Sequence, residues 1–533
     1  MRWLFFICLV LLVRAAGAQG LPSFAELEAA GAVIGNITVE THNIFDPNDP
    51  RENGAVYRAA NFLHFTTQPY VIRNQLLFRS GQPVSRRVIE ETERLILERS
   101  SVYEVSIRPV AYRDGVVDIE VRTRDTWTLQ PSVGLSRSGG ANSGTLGIKD
   151  DNLLGTGTTF ALERSSDVDR TGTLLEVSND HLIDGWTSAK VERARYSDGS
   201  RTGLRLAHPF YALDTRWAAG FSAAKFDRID SIYSAGQVAS QYRHTAREGE
   251  AYGGWSPGRR GSWTQRLSSG VAYRSSDYEV DPSRPPPTEL PDDRVLSGPF
   301  LRYEVIEDDF LQVRNRDRIG RTEYLPMGLR VLTQVGRSIG AFGATDQPWN
   351  YSATLNQGWR VPGGRELIGS AAFGGEHGSA FGDSRHAGLS ARYYKPRGPR
   401  VFFLAASVDV VQTPNAAGEL LLGGDSGLRG FPLRYQRGTR RALLTLEQRF
   451  YTDWYPLRVF RVGGAVFFDA GRAWGSGEPN PKPGWLSNAG FGLRVLNART
   501  STGNVVHIDF AFPFQRGENI KAAQFLITTH KSF

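Results

Sequence analysis

The chain has 533 residues, of which 40% are hydrophobic and 11% aromatic, with 58 glycines and a formal net charge of +8. This charge is small for the length and the basic residues are scattered, so the sequence gives no support for a nucleic-acid partner. The mean hydropathy is −0.34, and no run of about 18 apolar residues follows the N-terminus, so no membrane-spanning helix is predicted. A membrane β-barrel is compatible with this value, because its lipid-facing and lumen-facing residues alternate.

The N-terminus has the pattern of a secretory signal peptide over residues 1–18. Arg2 provides the positive end, residues 4–13 an apolar stretch, and residues 16–18 (Ala-Gly-Ala) a small-residue cleavage site. A short N-terminal anchor is the alternative. The single cysteine, Cys8, lies within the apolar stretch. We therefore expect the mature chain to contain no disulfide and no cysteine-based metal site or nucleophile.

Residues 22–125 are predicted to form a small α+β domain. A strand is expected over 34–44 and helices over 70–78 and 83–99, since apolar residues recur at helical spacing in the second helix. Two strands with alternating apolar residues then flank the turn Arg113–Asp114–Gly115. The order of elements is therefore strand, helix, helix, strand, strand.

Residues 126–533 have the pattern of many short strands. Apolar residues at 506, 508, 510 and 512, for example, alternate with His507, Asp509 and Ala511. A bilayer tolerates strands only when every edge is paired, so the repetition predicts a closed transmembrane antiparallel β-barrel. Division at the turns gives about 18 to 20 strands. The length would also accommodate two or three soluble domains.

A glycine-rich loop over residues 423–438 is predicted to plug the barrel. The candidate site combines this loop with carboxylates of two following strands, and its residues are Arg429, Gly430, Phe431, Glu447 and Asp469. A carboxylate facing lipid would be costly, so Asp469 is expected to face the lumen. Two carboxylates in a confined space need a counter-charge, and an arginine can satisfy both with forked contacts. Gly430 is expected to let the backbone bend, and Phe431 to wedge the loop against the wall.

The N-terminal pattern resembles a POTRA (polypeptide-transport-associated) domain. The residues that carry the resemblance are 78–85 (FRSGQPVS) and 116–121 (VVDIEV), whereas 45–68 is longer than expected and is interpreted as an insertion. The resemblance implies a periplasmic docking surface, where an exposed sheet edge binds an extended client chain by strand addition. A generic α+β module is the alternative.

Two further motifs resemble those of the BamA/TpsB superfamily of outer-membrane translocators, also called the bacterial surface antigen family. Residues 151–157 (DNLLGTG) are similar to an early periplasmic turn, and 423–431 (GGDSGLRGF) to the signature loop, with leucine at 428 in place of the usual valine. The resemblance implies a sixteen-stranded barrel with five strands after the loop, in which Glu447 and Asp469 hold Arg429. It also implies a C-terminal sorting signal, formed by Phe525, Ile527 and Phe533, that the barrel-assembly machinery reads.

The function that follows from the resemblance is an outer-membrane insertase or translocase with its N-terminal domain in the periplasm. Its partners would be outer-membrane lipids, an unfolded client protein and the barrel-assembly machinery, with no cofactor and no metal. The alternative is a passive outer-membrane channel or porin with a periplasmic appendage. An enzyme is not expected, because the nine histidines are scattered and no Gly-x-Ser-x-Gly motif occurs. A hydrolase with a Ser–His pair on one barrel wall is the third possibility.

Overall fold

The structure, a computed structural model, describes residues 21–99, 101–182, 185–234, 237–283, 285–412, 419–475, 480, 482–500, 504–517 and 519–530. The predicted signal peptide over 1–18 and the terminal Phe533 lie outside the described residues. The chain forms an N-terminal α+β domain followed by a closed β-barrel.

The N-terminal domain contains a three-stranded sheet covered by helices. Its elements are α1 Phe24–Ala29, β1 Val33–His42, α2 Ala55–Leu63, α3 Pro69–Arg73, α4 Arg86–Leu97, β2 Val102–Arg113 and β3 Val116–Asp125. The strand order is β1–β3–β2, with β3 parallel to β1 and antiparallel to β2. The helix α4 buries Ile89 and Ile96 in a core with Ile119 of β3. This core places the sheet edges β1 and β2 on opposite sides of the domain.

The elements of this domain follow the predicted order. Asp114 and Gly115 form the predicted turn, with φ of 50° and 80°, as a tight two-residue hairpin requires. The first predicted helix is shorter than 70–78, since α3 ends at Arg73. The helices α1 and α2 were not predicted, and α2 lies in the insertion over 45–68.

The remaining strands follow in chain order. They are β4 Leu129–Ser138, β5 Ala141–Leu153, β6 Thr158–Ser166, β7 Thr171–Leu182, β8 Thr187–Tyr196, β9 Gly199–His208, β10 Trp217–Ser234, β11 Gln237–Trp255, β12 Arg259–Arg260, β13 Trp263–Val280, β14 Arg294–Glu307, β15 Phe310–Arg314, β16 Thr322–Pro326, β17 Arg330–Arg337, β18 Trp349–Val361, β19 Arg365–His377, β20 Ser384–Arg397, β21 Arg400–Gln412, β22 Leu420–Leu422, β23 Gln436–Gly438, β24 Arg440–Tyr451, β25 Phe460–Trp474, β26 Leu486–Asn497, β27 Val505–Pro513 and β28 Gln524–His530.

The barrel wall has 20 strands in the described part of the chain. The pairs β15–β16 and β22–β23 form separate hairpins, and β12 is a two-residue piece that pairs with β13 beside β11. The implied sixteen strands are therefore wrong, whereas five strands do follow the loop. Each alternating run between turns becomes one wall strand, because an unpaired run would leave an open edge. The number of alternating runs in the sequence therefore predicts the number of wall strands better than the family resemblance does.

The two ends of the barrel are distinguished by the N-terminal domain. Because β3 leads directly into β4, this domain lies at the end where β4 begins, which we call the domain end; the opposite end is the far end. The wall closes between β28 and β4, where Ile527 lies opposite Arg137. This is the one pair across the closure that the described residues provide, and we call the closure the seam.

The outer surface of the barrel is apolar. Outward side chains along the strands are exposed, including Leu135 at 73%, Leu146 at 67% and Leu389 at 64%. Inward positions of the same wall hold buried charged residues such as Glu447 and Asp469. Apolar residues outside and polar residues inside are the arrangement of a barrel embedded in lipid.

No helix in the described ranges has the length and apolar character needed to cross a membrane.

Two hairpins between wall strands fold onto the inner surface of the barrel. The lumen loop (residues 419–438, containing β22 and β23) enters from the far end. The domain-end hairpin (residues 308–329, containing β15 and β16) enters from the domain end. Both pack against inward residues of the wall between β19 and β27. This half of the wall therefore carries the candidate site.

Candidate lumen site

Arg429 of the lumen loop is the centre of a buried ion-pair network. Its Nε and Nη2 donate to the two carboxylate oxygens of Asp469 at 2.9 and 2.8 Å. Its Nη1 donates to Glu447 at 2.8 Å and to Asp509 at 3.2 Å. The guanidinium carbon lies 3.4 Å from the centroid of the Phe467 ring. The structure thus brings the predicted arginine onto both predicted carboxylates, and adds a third.

The wall register explains why Asp469 points at the loop. Thr445 of β24 and Asn488 of β26 lie directly opposite it on the two neighbouring strands, and opposite residues share one face of a sheet. Thr445 Oγ1 donates to Asp469 at 3.0 Å and Asn488 Nδ2 donates at 2.9 Å. Asp469 is 1% exposed, whereas Val466 on the outer face is 48% exposed. The carboxylate is therefore held by both neighbouring strands as well as by the arginine.

Two wall arginines complete the charge balance. Arg449 Nε donates to Glu447 at 2.9 Å, and Arg494 lies 3.4 Å from Glu447 and also donates to Asp509. Three guanidiniums thus face the carboxylates of Glu447, Asp469 and Asp509, and Arg449 also lies 3.6 Å from Asp317. Buried charges are tolerated when they are paired in this way.

Sequence reasoning missed Asp509, Arg449, Arg494 and Asn488. The signal was available for Asp509, which occupies an inward position in the alternating run 505–513. It was also available for Arg449, which is in phase with Glu447 on β24. Nothing in the one-dimensional pattern pairs Arg494 with Asp509, because that contact depends on the register between β26 and β27.

Gly430 and Phe431 anchor the loop in different ways. Phe431 is fully buried in an apolar cluster whose other members include Leu428 and Tyr435. The Gly430 N–H donates to Asn488 Oδ1 at 3.1 Å, and a Cβ added to Gly430 would lie 2.7 Å from the Asn488 Cβ. Gly430 is therefore needed for close approach. A left-handed turn of the backbone lies instead at Leu428, with φ of 61°, which corrects the predicted role of Gly430.

A second ion pair holds the base of the lumen loop near the far end. Both Nη atoms of Arg434 donate to the Asp169 carboxylate, at 2.9 and 2.7 Å. The Tyr233 hydroxyl also donates to Asp169, and the guanidinium carbon of Arg434 lies 4.2 Å from the centroid of the Tyr233 ring. Asp169 belongs to the turn between β6 and β7, so the loop is tied to the wall beyond the seam. No pattern in the sequence indicates this contact.

The domain-end hairpin is held by a comparable set of buried polar contacts. Arg316 donates twice to Glu366 of β19, at 2.9 and 2.7 Å. Its backbone carbonyl accepts from Arg449 Nη1 at 2.7 Å, and Arg449 also binds Glu447. The Tyr394 hydroxyl donates to Asp317 at 3.0 Å. Arg449 therefore contacts the hairpin with one nitrogen and the carboxylate that binds the lumen loop with another.

The same hairpin contacts the N-terminal domain. The guanidinium of Arg94 on α4 lies 3.8 Å from the centroid of the Phe310 ring. Arg321 Nη2 donates to the Val102 carbonyl at 3.5 Å, and its guanidinium lies over the Tyr103 ring. The hairpin thus connects the start of β2 with the lumen network.

The segment of residues 43–68, here called the seam segment, crosses beneath the seam. At one end the Gln68 N–H donates to the Gly155 carbonyl at 2.9 Å, in the turn between β5 and β6. Near the other end Glu52 forms a buried ion pair with Arg499, which follows β26. Since the wall order runs β26, β27, β28, β4, β5, these contacts lie on both sides of the closure.

Two buried titratable groups lie where this segment meets β3. Burial raises the pKa of Asp125 to about 7, although Thr67 opposes this by donating its N–H to the carboxylate at 2.6 Å. Burial also lowers the pKa of His64 to about 4, and its Nε2 lies 3.9 Å from Asp125. Both groups are therefore mainly uncharged at mildly acidic pH.

The opposite half of the lumen keeps open space. A cavity of about 500 Å³ lies along the inner wall from β8 to β18. Charged residues of both signs line it, among them Lys190, Glu192, Arg201, Glu248 and Arg274. The two hairpins therefore obstruct one side of the barrel and leave a polar space on the other.

The remaining predicted residues lie on the last strand. Phe525 of β28 faces outward, is 37% exposed and has its ring centroid 4.9 Å from that of Phe510. Ile527 is the seam residue opposite Arg137, and Phe533 lies outside the described residues. In the described ranges, no group of three or more His, Cys, Asp or Glu could hold a metal ion.

Comparison with known proteins gives structural matches only. No protein-family model and no curated protein matches the chain. CdiB from Escherichia coli is 14% identical with a TM-score of 0.48, over 93% of this chain and 76% of that one. CdiB from Acinetobacter baumannii is 13% identical with a TM-score of 0.46, over 93% and 74%. BamA from Haemophilus ducreyi lacking POTRA domains 1–3 is 14% identical with a TM-score of 0.39, over 93% and 84%.

CdiB and BamA belong to the superfamily that the sequence motifs resemble. The TM-scores of these three structures are all below 0.5.

Proposed function

We propose that the protein is an outer-membrane insertase or translocase for unfolded client proteins. The observation that carries this proposal is the lumen loop, pinned inside the barrel by Arg429 on Asp469, Glu447 and Asp509. Porin barrels enclose a water-filled channel, whereas other outer-membrane barrels are plugged by loops. Such a loop suits a barrel that is held closed until a client displaces it.

The N-terminal domain acts as a periplasmic POTRA-like docking module. In the sheet order β1–β3–β2, the strand β2 pairs only with β3 within the described sheet. Its outer edge can add an extended client strand through backbone hydrogen bonds, which bind without demanding a particular sequence. The start of β2 contacts the domain-end hairpin, so a client bound there lies next to the lumen entrance.

The client then enters the membrane at the seam or crosses through the lumen. Among the described residues, Ile527 opposite Arg137 is the one pair across the seam, and this sparse pairing favours insertion. Free energy comes from client folding and strand pairing, so no cofactor, nucleotide or catalytic residue takes part. Phe525 and Ile527, with Phe533, serve as the sorting signal for the protein's own assembly by the barrel-assembly machinery.

Photo-crosslinking from the β2 edge tests the docking step. A photoreactive residue at Ser106 or Arg108 of β2 is expected to crosslink a urea-denatured outer-membrane barrel precursor added to proteoliposomes. The same residue at Glu28 on α1 is the matched control and should not. Equal crosslinking at Glu28, or none at β2, would remove the docking role.

A passive channel is the second candidate, and the cavity of about 500 Å³ along β8 to β18 favours it. Its charged lining of both signs would suit a water-filled path for small polar solutes. A steady, large conductance of the wild-type protein in planar bilayers, insensitive to the lumen loop, would support the channel over the translocase.

A further inference from the structure

The helix α2 of the seam segment exposes apolar side chains to an unusual degree. Phe62 is 88% exposed, Val56 79%, Leu63 61% and the following Phe65 60%. A short helix in a water-facing domain normally turns such residues inward. Here the polar side chains of Asn61 and His64 point inward instead. The exposed apolar side chains are therefore expected to bind a partner.

The orientation of α2 is fixed by the contacts of its inner side. The Asn61 side chain accepts from the Phe45 N–H at 3.1 Å and donates to the Phe45 carbonyl at 2.8 Å. Asn43 Nδ2 donates to the Asn61 carbonyl at 2.9 Å. The Tyr57 ring lies 4.8 Å from that of Phe45, centroid to centroid. These contacts on the inner side hold the helix so that its apolar side faces away from the rest of the domain.

The exposed surface continues onto the outer wall of the barrel. Thr66, next to Phe65, lies against the turn after β5, where a Cβ on Gly155 would be 2.3 Å from the Thr66 carbonyl oxygen. In the same turn Leu154 is 54% exposed, and Leu153 before it 37%. The apolar outer wall thus runs from β5 through this turn to Phe65 and α2.

We propose that α2 lies in the membrane interface, with Val56, Phe62, Leu63 and Phe65 in the phospholipid leaflet at the domain end. The partner is a lipid surface, because the surface adjoins the lipid-facing wall and carries aromatic and aliphatic side chains, as interfacial helices do. This inference rests on the proposed bilayer location of the barrel. It makes the seam segment a membrane-attached bridge beneath the closure.

Single-cysteine labelling of the full mature chain tests the proposal. Cys8 lies in the predicted signal peptide, so the mature chain contains no competing thiol. The variants Phe62→Cys and Leu63→Cys are labelled with an environment-sensitive fluorophore and reconstituted in phosphatidylethanolamine–phosphatidylglycerol vesicles. We expect blue-shifted emission and several-fold quenching by nitroxide-bearing lipids. Glu28→Cys on α1 is the matched control and should be quenched by aqueous iodide instead.

Iodide quenching at Phe62→Cys equal to that at Glu28→Cys would overturn the proposal. So would protection that appears only at high protein density, which indicates a second copy, or only after a denatured barrel precursor is added, which indicates a client. Leu135→Cys on the outer wall distinguishes failure of the α2 proposal from failure of the proposed bilayer location of the barrel. If nitroxide lipids quench Leu135 but not Phe62, the barrel is in the bilayer and only the α2 proposal fails.

Discussion

At the scale of single residues, the lumen loop depends on one arginine shared among three strands. Asp469 on β25, Glu447 on β24 and Asp509 on β27 are all almost fully buried, and Arg429 contacts each of them. Removing one partner of a buried ion pair leaves uncompensated charge, which typically costs about 3–5 kcal/mol. The site is therefore more sensitive to loss of Arg429 than to changes in the surrounding loop.

Arg429→Ala should lower the temperature at which the folded, fast-migrating gel band converts to the unfolded band, with a loss on the order of 3–5 kcal/mol. Arg429→Lys should recover only part of this, because an ammonium cannot make the fork to Asp469. Arg385→Ala, which removes an exposed arginine of β20, is the control. A shift no larger than that of the control would contradict the lock.

Asp125→Asn should stabilise the N-terminal domain in a pH-dependent way. Burial raises the Asp125 pKa from 3.8 to about 7, so its favourable contribution is complete below the unfolded pKa and is lost as pH rises through 7. Asparagine stays neutral, so the advantage of the variant should grow between pH 4 and 7 to at most roughly 4 kcal/mol and then stay constant.

Hydrogen exchange of the β3 amides, corrected for intrinsic rates at each pH, measures this difference. A stability gap between Asp125→Asn and wild type that does not change from pH 5 to pH 8 would show that Asp125 titrates normally.

The residues of the site were only partly predictable. The set of Arg429, Glu447 and Asp469 is implied by the resemblance to the signature loop, and alternation and the need to neutralise charge in a lumen support it. The inward position of Asp509 also follows from alternation, but its contact with Arg494 depends on how β26 and β27 are aligned. Single-strand patterns do not contain that alignment.

At the scale of elements, two hairpins rather than one obstruct the lumen. The lumen loop was predicted from its glycines and its arginine. The domain-end hairpin was not, because its short strands β15 and β16 flank a polar, arginine-rich turn over 314–321 that has no alternation to distinguish it from a surface loop. The helix α2 escaped prediction for a related reason, since it follows a proline- and asparagine-rich stretch typical of turns.

Deletion of residues 423–438 should increase single-channel conductance in planar bilayers, because the lumen loop then no longer occupies the lumen at the far end of the barrel. Replacing 310–326 with a short turn should increase it as well, and both changes together should give the largest pore. Heat-modifiable gel mobility checks that each variant is folded. Folded loop-deletion protein with wild-type conductance would show that the loop does not block the pore.

At the scale of the whole molecule, the number of wall strands determines how much of the barrel lumen the lumen loop alone can fill. Barrel diameter grows roughly in proportion to strand number, so the 20-stranded wall encloses more space than the implied sixteen would. One loop of the observed length fills only part of it. The domain-end hairpin occupies a second part, and the cavity of about 500 Å³ remains.

A disulfide across the seam tests whether clients leave through the wall. Arg137→Cys with Ile527→Cys joins residues that lie opposite each other, in a mature chain expected to have no other cysteine. If clients insert at the seam, oxidation should stop folding of a denatured barrel precursor into proteoliposomes, and reduction should restore it. Phe373→Cys with Ala387→Cys, opposite residues within the intact wall, is the control and should have no effect.

An oxidised seam that still supports export of a client across the membrane would assign transport to the lumen and reject the lateral route. Loss of function in the control pair as well would point to general rigidity of the barrel.

Arg449 couples the lumen loop to the domain-end hairpin. With one nitrogen on Glu447 and another on the Arg316 carbonyl, and with its guanidinium 3.8 Å from the centroid of the Phe403 ring, Arg449 contributes to the hold on both hairpins. Withdrawal of either one should therefore weaken the hold on its counterpart. The two hairpins would then leave the lumen together, in a cooperative, nearly two-state manner.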